Sequence, residues 1–301
     1  MNFLLNILLN GIASLPFPLL YRLSDLLYFT VYYIVRYRRD IVMMNLKNAF
    51  PEKTDNEIKK IARQFYKDLS DLALETVKTL KMTPEQLHER IYIADNEASR
   101  KYFAQTDGAV ILTAHFGNWE WAGQLFGMET KNRPVQVVYL KVKNVYFNAM
   151  MKKIRTRFSN SVVQMEFVFK QILQRKNEGI VSCFLADQTP QRHQAGLWTM
   201  FMNQMTPFFT GPEKIAGRLN LNVYFMGIYK EKRGHYRMDM TLISDKPSEE
   251  SENYIMEQYA RLLEKSIREQ PSTWLWSHRR WKHKYISQQL SVKSKEMINY
   301  Q

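Results

Sequence analysis

AVILTAHFGNWEWAGQLF, residues 109–126, changes character part-way along. An apolar run of strand length, Ala109 to Ala114, stops at His115. Gly117 permits a sharp turn, and a helix-length segment then begins with Glu120 near its start. Strand, turn and helix in that order form the first half of a βαβ unit. The alternation recurs downstream: PVQVVYL (134–140) before VYFNAMMKKIRTRF (145–158), SVVQ (161–164) before EFVFKQILQRK (166–176), and IVSCFLA (180–186) before a long loop and PEKIAGRL (212–219). NVYFMGIY (222–229) follows, and after Arg233-Gly234 the run HYRMDMTLI (235–243) reads as its antiparallel hairpin partner. Short β-branched runs separated by helical segments predict an α/β domain with a mainly parallel sheet and helices on both faces.

Upstream of this unit the pattern is helical. Thr54 and Glu57 have capping-box spacing, and Ile58, Ile61, Phe65, Leu69, Leu72 and Leu80 follow near one helical face. Thr83, Pro84 and Gln86 repeat the start signal, and a last helix is expected over roughly 251–269. The N-terminal stretch, residues 1–39, is almost all apolar or aromatic up to the basic cluster at Arg36, Arg38 and Arg39, and is read as a membrane-associated helical segment. Pro16, Pro18, Arg22 and Asp25 interrupt it, which favours an interfacial or re-entrant helix pair over one clean span; a helix pair packed on the globular part is the alternative. Residues 286–301 read as a polar C-terminal tail.

The chain has 301 residues, 45% of them hydrophobic, enough for a sizeable core. A formal net charge of +14 favours anionic partners without choosing among nucleic acid, acidic lipid and phosphorylated substrate. The single cysteine, Cys183, excludes a disulfide framework and a cysteine-based zinc site, and its apolar surroundings mark it as a small buried hydrophobe.

In a parallel sheet, sites lie beyond the carboxyl ends of the strands, where His115 stands. Glu120 opens the next helix, so its carboxylate can fold back to orient the imidazole as a general base. Such a pair lacks its own nucleophile, which the substrate would then supply. A capping histidine with a solvated glutamate fits the spacing equally well. No Gly-x-Ser-x-Gly elbow, P-loop, Gly-x-Gly-x-x-Gly or His-Glu-x-x-His motif is present.

HFGNWE (115–120) resembles the His-x4-acid signature of the glycerolipid acyltransferase superfamily, in wording close to the late acyltransferases of lipid A biosynthesis. VYLKVKNVYFNAMMKKIRTRF, FLADQTP, PFFTGPEKIAGRLNLNVYF and PSTWLWSHRRWKH are similar to further blocks of that family in the same order, over residues 1 to 285, making 40–285 the acyltransferase domain. The resemblance implies transfer of a fatty acyl group from an acyl carrier protein thioester to a hydroxyl of a phosphorylated lipid A precursor, at the cytoplasmic face of the bacterial inner membrane, with no cofactor and no metal. It implies catalytic roles for His115 and Glu120, and substrate contacts for Arg155, Arg157 and Asp187. Backbone N–H groups at Gly117 and Asn118 are candidates to hold the oxyanion. On local chemistry alone, Arg155 also reads as part of a solvated basic helix face, and Asp187 as a turn former.

Leu140-Lys141 stand where the family usually has Arg-Pro, and Ser272-Thr273 where Glu-Gln is usual. Those departures leave open acylation of a lysophospholipid or an amino-acid-containing lyso-lipid. The Gln188–Phe209 loop, with Trp198, Met200, Phe201, Met202 and Met205, reads as an acyl groove, a bilayer contact or core packing. WLWSHRRWKHKY mixes aromatic platforms with cations, as single-strand nucleic-acid binders do, but the apolar N-terminus and the ordered blocks weigh against a nucleic-acid partner. Acyl carrier protein and anionic membrane lipids are the expected partners of the basic surface.

Overall fold

The computed structural model describes residues 2–140, 144–158, 160–191 and 194–283; Lys141 and the tail expected at 286–301 lie outside them. The apolar N-terminus folds as two helices, α1 (Asn2–Ser14) and α2 (Phe17–Phe29), with a π-helical turn at Thr30–Ile34. They part at Leu15-Pro16, where proline lacks the backbone donor that would continue the first helix. Each has 13 residues, about 20 Å at helical rise against the ~30 Å of a hydrocarbon core. Among the described residues no helix is long and apolar enough to cross a membrane. One face of the pair docks onto the body: Ala13, Leu20 and Ser24 are buried, and the Lys78 ammonium donates to the carbonyls of Ala13 (2.9 Å) and Leu15 (2.7 Å). On the other face Leu8, Leu19, Leu26 and Phe29 are exposed.

After α3 (Arg39–Ala49) comes α4 (Asp55–Lys78), which opens at the expected Thr54–Glu57 box and buries Ile58, Ala62, Phe65 and Leu72. The second box, at Thr83 and Gln86, starts α5 (Pro84–His88). β1 (Ile91–Ile93) and α6 (Glu97–Ala104) follow; three residues are too few for β1 to show a period in the sequence. The βα units then run β2 (Ala109–Thr113), α7 (Trp119–Glu129), β3 (Val135–Tyr139), α8 (Val145–Arg155), β4 (Asn160–Gln164), α9 (Val168–Gln174) and β5 (Val181–Leu185).

The stretch expected as a long loop is instead an antiparallel hairpin, β6 (Ala195–Phe201) and β7 (Gln204–Phe209). Its turn at Met202-Asn203 has positive φ at both residues, 50° and 61°, as a type I′ turn requires, and Phe201 and Met202 are buried in the core. Methionine in place of the usual Asn or Gly at the turn hid the hairpin. α10 (Gly211–Leu219), β8 (Asn222–Lys232), β9 (His235–Ser244) and α11 (Tyr254–Glu269) complete the fold, with β8 and β9 antiparallel as expected.

The seven-stranded sheet has the order β1-β9-β8-β2-β5-β3-β4, parallel at every pairing except β8 with β9. Alternate residues of β2 feed opposite faces: Val110 and Leu112 join a core with α4, α10 and α11, whereas Ala109 and Ile111 join one with α6 and α7. Both faces are therefore covered, and β2 reads as an unbroken apolar run because it is buried on both sides.

Candidate active site

In the β2–β5 register Thr113 lies opposite Leu185, so residues two positions beyond each strand emerge side by side. Those residues are His115 and Asp187, and the His115 Nδ1 is 2.7 Å from Asp187 Oδ1. The other oxygen of Asp187 accepts from the Trp274 indole N–H at 2.9 Å. The Asp187 side chain is 3% exposed and that of His115 17%, so the acid is sealed while the imidazole reaches the surface. Burial by itself pushes the Asp187 carboxyl up; the charge of His115 and the hydrogen bonds from His115 and Trp274 overcome this and hold it below the usual carboxylate value. An ionised Asp187 fixes the proton on Nδ1 and leaves the lone pair on Nε2. The Gln188 amide lies 3.2 Å from that Nε2 and donates to it.

The sequence reading paired His115 with Glu120, and the structure pairs each with another residue. Glu120 accepts from Arg155 through two bonds, Nε to Oε2 at 3.0 Å and Nη2 to Oε1 at 2.6 Å. Its Oε1 also accepts from the Trp119 indole at 3.1 Å, while the Trp119 ring stands edge-on to His115 with centroids 5.0 Å apart. Trp119 thus touches both pairs. Desolvation alone would lower the Arg155 pKa; the charge and hydrogen bonds of Glu120 raise it, so the guanidinium stays charged. Asp187, read from the sequence as a substrate contact or a turn former, is instead taken up by His115 and Trp274.

The turn between His115 and α7 is held from two sides. Gly117 has φ +63°, and a Cβ there would sit 2.2 Å from the Ile228 carbonyl oxygen, so only glycine fits. Residues 273–275 pair with it: the Gly117 N–H donates to the Thr273 carbonyl at 3.0 Å, and the Leu275 N–H to the His115 carbonyl at 3.0 Å. The Gly117 N–H is therefore already used, which corrects its assignment as an oxyanion donor.

Asn118 caps α7, its Oδ1 accepting from the Trp121 N–H at 2.9 Å while its Nδ2 donates to Glu75 at 2.8 Å. Glu75, fully buried on α4, also accepts from Tyr21 and Tyr236, each at 2.8 Å, linking the site helix to the N-terminal pair. Burial and the nearby Asp71 charge push its carboxyl up. Arg157 donates to the Met82 carbonyl at 2.9 Å and stacks on Phe158, so its group anchors the α5 approach.

The sequence marks Asp187 without its histidine partner, and it does not mark Trp274, Gln188 or Glu75 as site residues. Trp274 and Gln188 sat inside quoted blocks, whereas Glu75 showed only as an acid on a helix's apolar side. Beside Asp187, the buried Arg280 donates to the Pro207 carbonyl at 2.7 Å and lies over the Phe208 ring. Burial lowers its pKa to about 10 and that of His278 to about 4. The His278 Nε2 accordingly accepts, from the Thr189 N–H at 3.2 Å, and clamps the loop after Asp187.

A carboxylate-backed imidazole at the mouth of a sheet, its second nitrogen covered only by the neutral Gln188 amide, suits proton abstraction from a hydroxyl that displaces that amide. Residues 1–283 match the sequence profile of bacterial lipid A biosynthesis acyltransferases. The lipid A biosynthesis palmitoleoyltransferase of Escherichia coli (strain K12) is 20% identical over 280 residues, 92% of this chain and 89% of that protein. The lipid A biosynthesis lauroyltransferase of the same strain is 22% identical over 272 residues, 90% and 88% of the two chains.

Proposed function

From the premise that this chain belongs to the bacterial lipid A biosynthesis acyltransferase family, we propose the route by which it acts as an acyltransferase. The acceptor hydroxyl of a lipid A precursor gives its proton to His115 Nε2 as its oxygen attacks the carbonyl carbon of an acyl carrier protein thioester. The C–O bond forms, the tetrahedral intermediate collapses, the C–S bond breaks, and the departing thiolate takes the proton from the imidazolium. Asp187 stabilises that imidazolium and fixes its orientation. Arg155, steadied by Glu120, keeps its Nη1 edge for a phosphate of the acceptor or of the carrier's prosthetic arm. The exposed apolar face of α1 and α2 lies against the cytoplasmic leaflet of the inner membrane, and the basic surface attracts anionic lipid and carrier.

The observation that carries this reading is the 2.7 Å contact between His115 Nδ1 and Asp187 Oδ1 at adjoining strand ends. The test uses detergent-solubilised protein with radiolabelled acyl carrier protein thioester, offering a lipid A precursor in one reaction and a lysophospholipid in another. Label passing to the lipid A precursor, and lost in His115→Ala, is the expected result. Transfer to the lysophospholipid alone would replace the acceptor, and transfer that survives His115→Ala would remove the base.

A further inference from the structure

We propose that the rim formed by Leu140 and residues 144–147 beyond β3 and by residues 165–169 beyond β4 is a second membrane-contacting surface, seated on an anionic phospholipid bilayer. This goes beyond the acyl-transfer reading and holds whether or not His115 is the base. In the sheet order β2-β5-β3-β4 all four strands are parallel, so the segments leaving β3 and β4 emerge at the same end as His115 and Asp187. They stand one and two strand spacings from β5, ~5 and ~10 Å to the side.

Apolar side chains dominate that rim. Leu140 is 70% exposed and Val145 71%, and Tyr146, Phe147, Phe167 and Phe169 are exposed beside them. Tyr139 and Gln164 are paired across β3 and β4, so Leu140 and the Phe167 segment begin at the same level. A run of exposed aromatic and aliphatic side chains next to a site marks an interaction surface.

The charges around it choose the occupant. Residues 144–175 carry six bases against one acid, Glu166; Arg155 and Arg175 are engaged by Glu120 and Glu178 and Arg157 by the Met82 carbonyl, which leaves Lys152, Lys153 and Lys170 for the rim. Lys152, Lys153 and Lys170 are exposed. An apolar phase bordered by negative charge is what a bilayer surface of anionic lipids offers to aromatic and lysine side chains together. A second copy of the chain would bring the same net charge of +14 and be repelled. An acidic carrier protein would satisfy the lysines and leave the phenylalanines in water.

The single native cysteine makes a direct test available: Cys183 is buried, and burial pushes its thiol up to about 12, so an introduced surface cysteine labels alone. The full chain carrying Phe147→Cys with an environment-sensitive fluorophore is mixed with phosphatidylglycerol–phosphatidylethanolamine vesicles. Glu249→Cys is the control, because it follows β9, which runs antiparallel to β8 and delivers it to the opposite end of the sheet. At residue 147 the emission shifts to the blue and is quenched by nitroxides held in the bilayer; at residue 249 neither occurs.

Phe147→Ser with Phe169→Ser lowers vesicle affinity at least about tenfold, since each ring withdraws its area from the lipid. A label at residue 147 that stays in water on vesicles overturns the proposal. So does a blue shift without vesicles that grows with protein concentration, which would assign the rim to a second copy, or one produced by acidic carrier protein alone. None of these readouts requires turnover, so loss of acyl transfer with insertion intact would count against the proposed function and leave the rim's assignment standing.

Discussion

His115 meets its acid through one nitrogen and turns the other to a neutral amide, Gln188; Arg155 meets its acid through two bonds at once. The two pairs adjoin the same indole, Trp119, and their acids are both nearly sealed from water, yet they are built for different ends. Asp187 is backed by a neutral donor, Trp274, and faces an imidazole that it meets through one nitrogen. Glu120 faces a guanidinium that does not release its proton, and the geometry closes on itself. Two carboxylates in similar burial thus differ in the partner each is given: one meets an imidazole through a single bond, the other ties α8 to α7 through a guanidinium.

Removing the imidazole is the hardest blow to that contrast. His115→Ala should lower the transfer rate by about 10³-fold or more, with the melting temperature changed little, as single-turnover kinetics and calorimetry would record. A rate within tenfold of the parent would mean that the pair is structural after all.

Exchanging the acids sharpens it next. Glu120→Gln should act on stability, costing about 3 kcal/mol because Arg155 is left buried without its counter-charge, and Glu120→Gln with Arg155→Gln should recover part of that loss. Asp187→Asn should act on rate, about 10²-fold, with a smaller change in stability. If Glu120→Gln instead takes the larger toll on rate at unchanged stability, the partners assigned to the two acids are reversed.

Acid titration separates the surroundings of the two pairs. His278, which clamps the loop carrying Asp187, has a folded pKa of about 4 against an ordinary 6.5. Between those values the unfolded chain binds a proton that the folded chain does not, so stability falls as pH drops from 6.5 towards 4. Asp187 has the depressed pKa of a carboxylate that stabilises the fold when ionised; its contribution is complete above the unfolded value and is lost as pH falls through the folded one, below the His278 window. Melting curves of the parent should therefore slope more steeply than those of His278→Gln between pH 6.5 and 4, and identical slopes would remove His278 from the clamp.

The smallest effect concerns Gln188, whose amide donates to the His115 Nε2 that the proposed mechanism uses as base. Gln188→Ala should change kcat/KM a few-fold and leave the Glu120–Arg155 pair untouched. Gln188→Glu should move the acidic limb of the rate profile upward, because a neighbouring carboxylate favours the imidazolium. A rate profile identical to the parent's in both variants would place Gln188 outside the proton path.

Much of the fold was legible because it is encoded locally. The strand-turn-helix alternation from Ala109 onward, both capping boxes, the buried face of α4 and the glycine at residue 117 each follow from neighbours a few residues apart, whose sterics and hydrogen bonds are the same in any fold. The β6–β7 hairpin escaped because its turn carries Met202 rather than a residue with a known liking for positive φ. The chain by itself thus determined that a histidine would end a buried strand on a turn only glycine can make. Which acid stands behind it was decided by tertiary structure: Glu120 is five residues away along the chain, whereas Asp187 is 72 away and arrives through the register of two parallel strands. Register is set by packing on both faces of the sheet, so no local pattern at residues 115 or 187 records that they will meet.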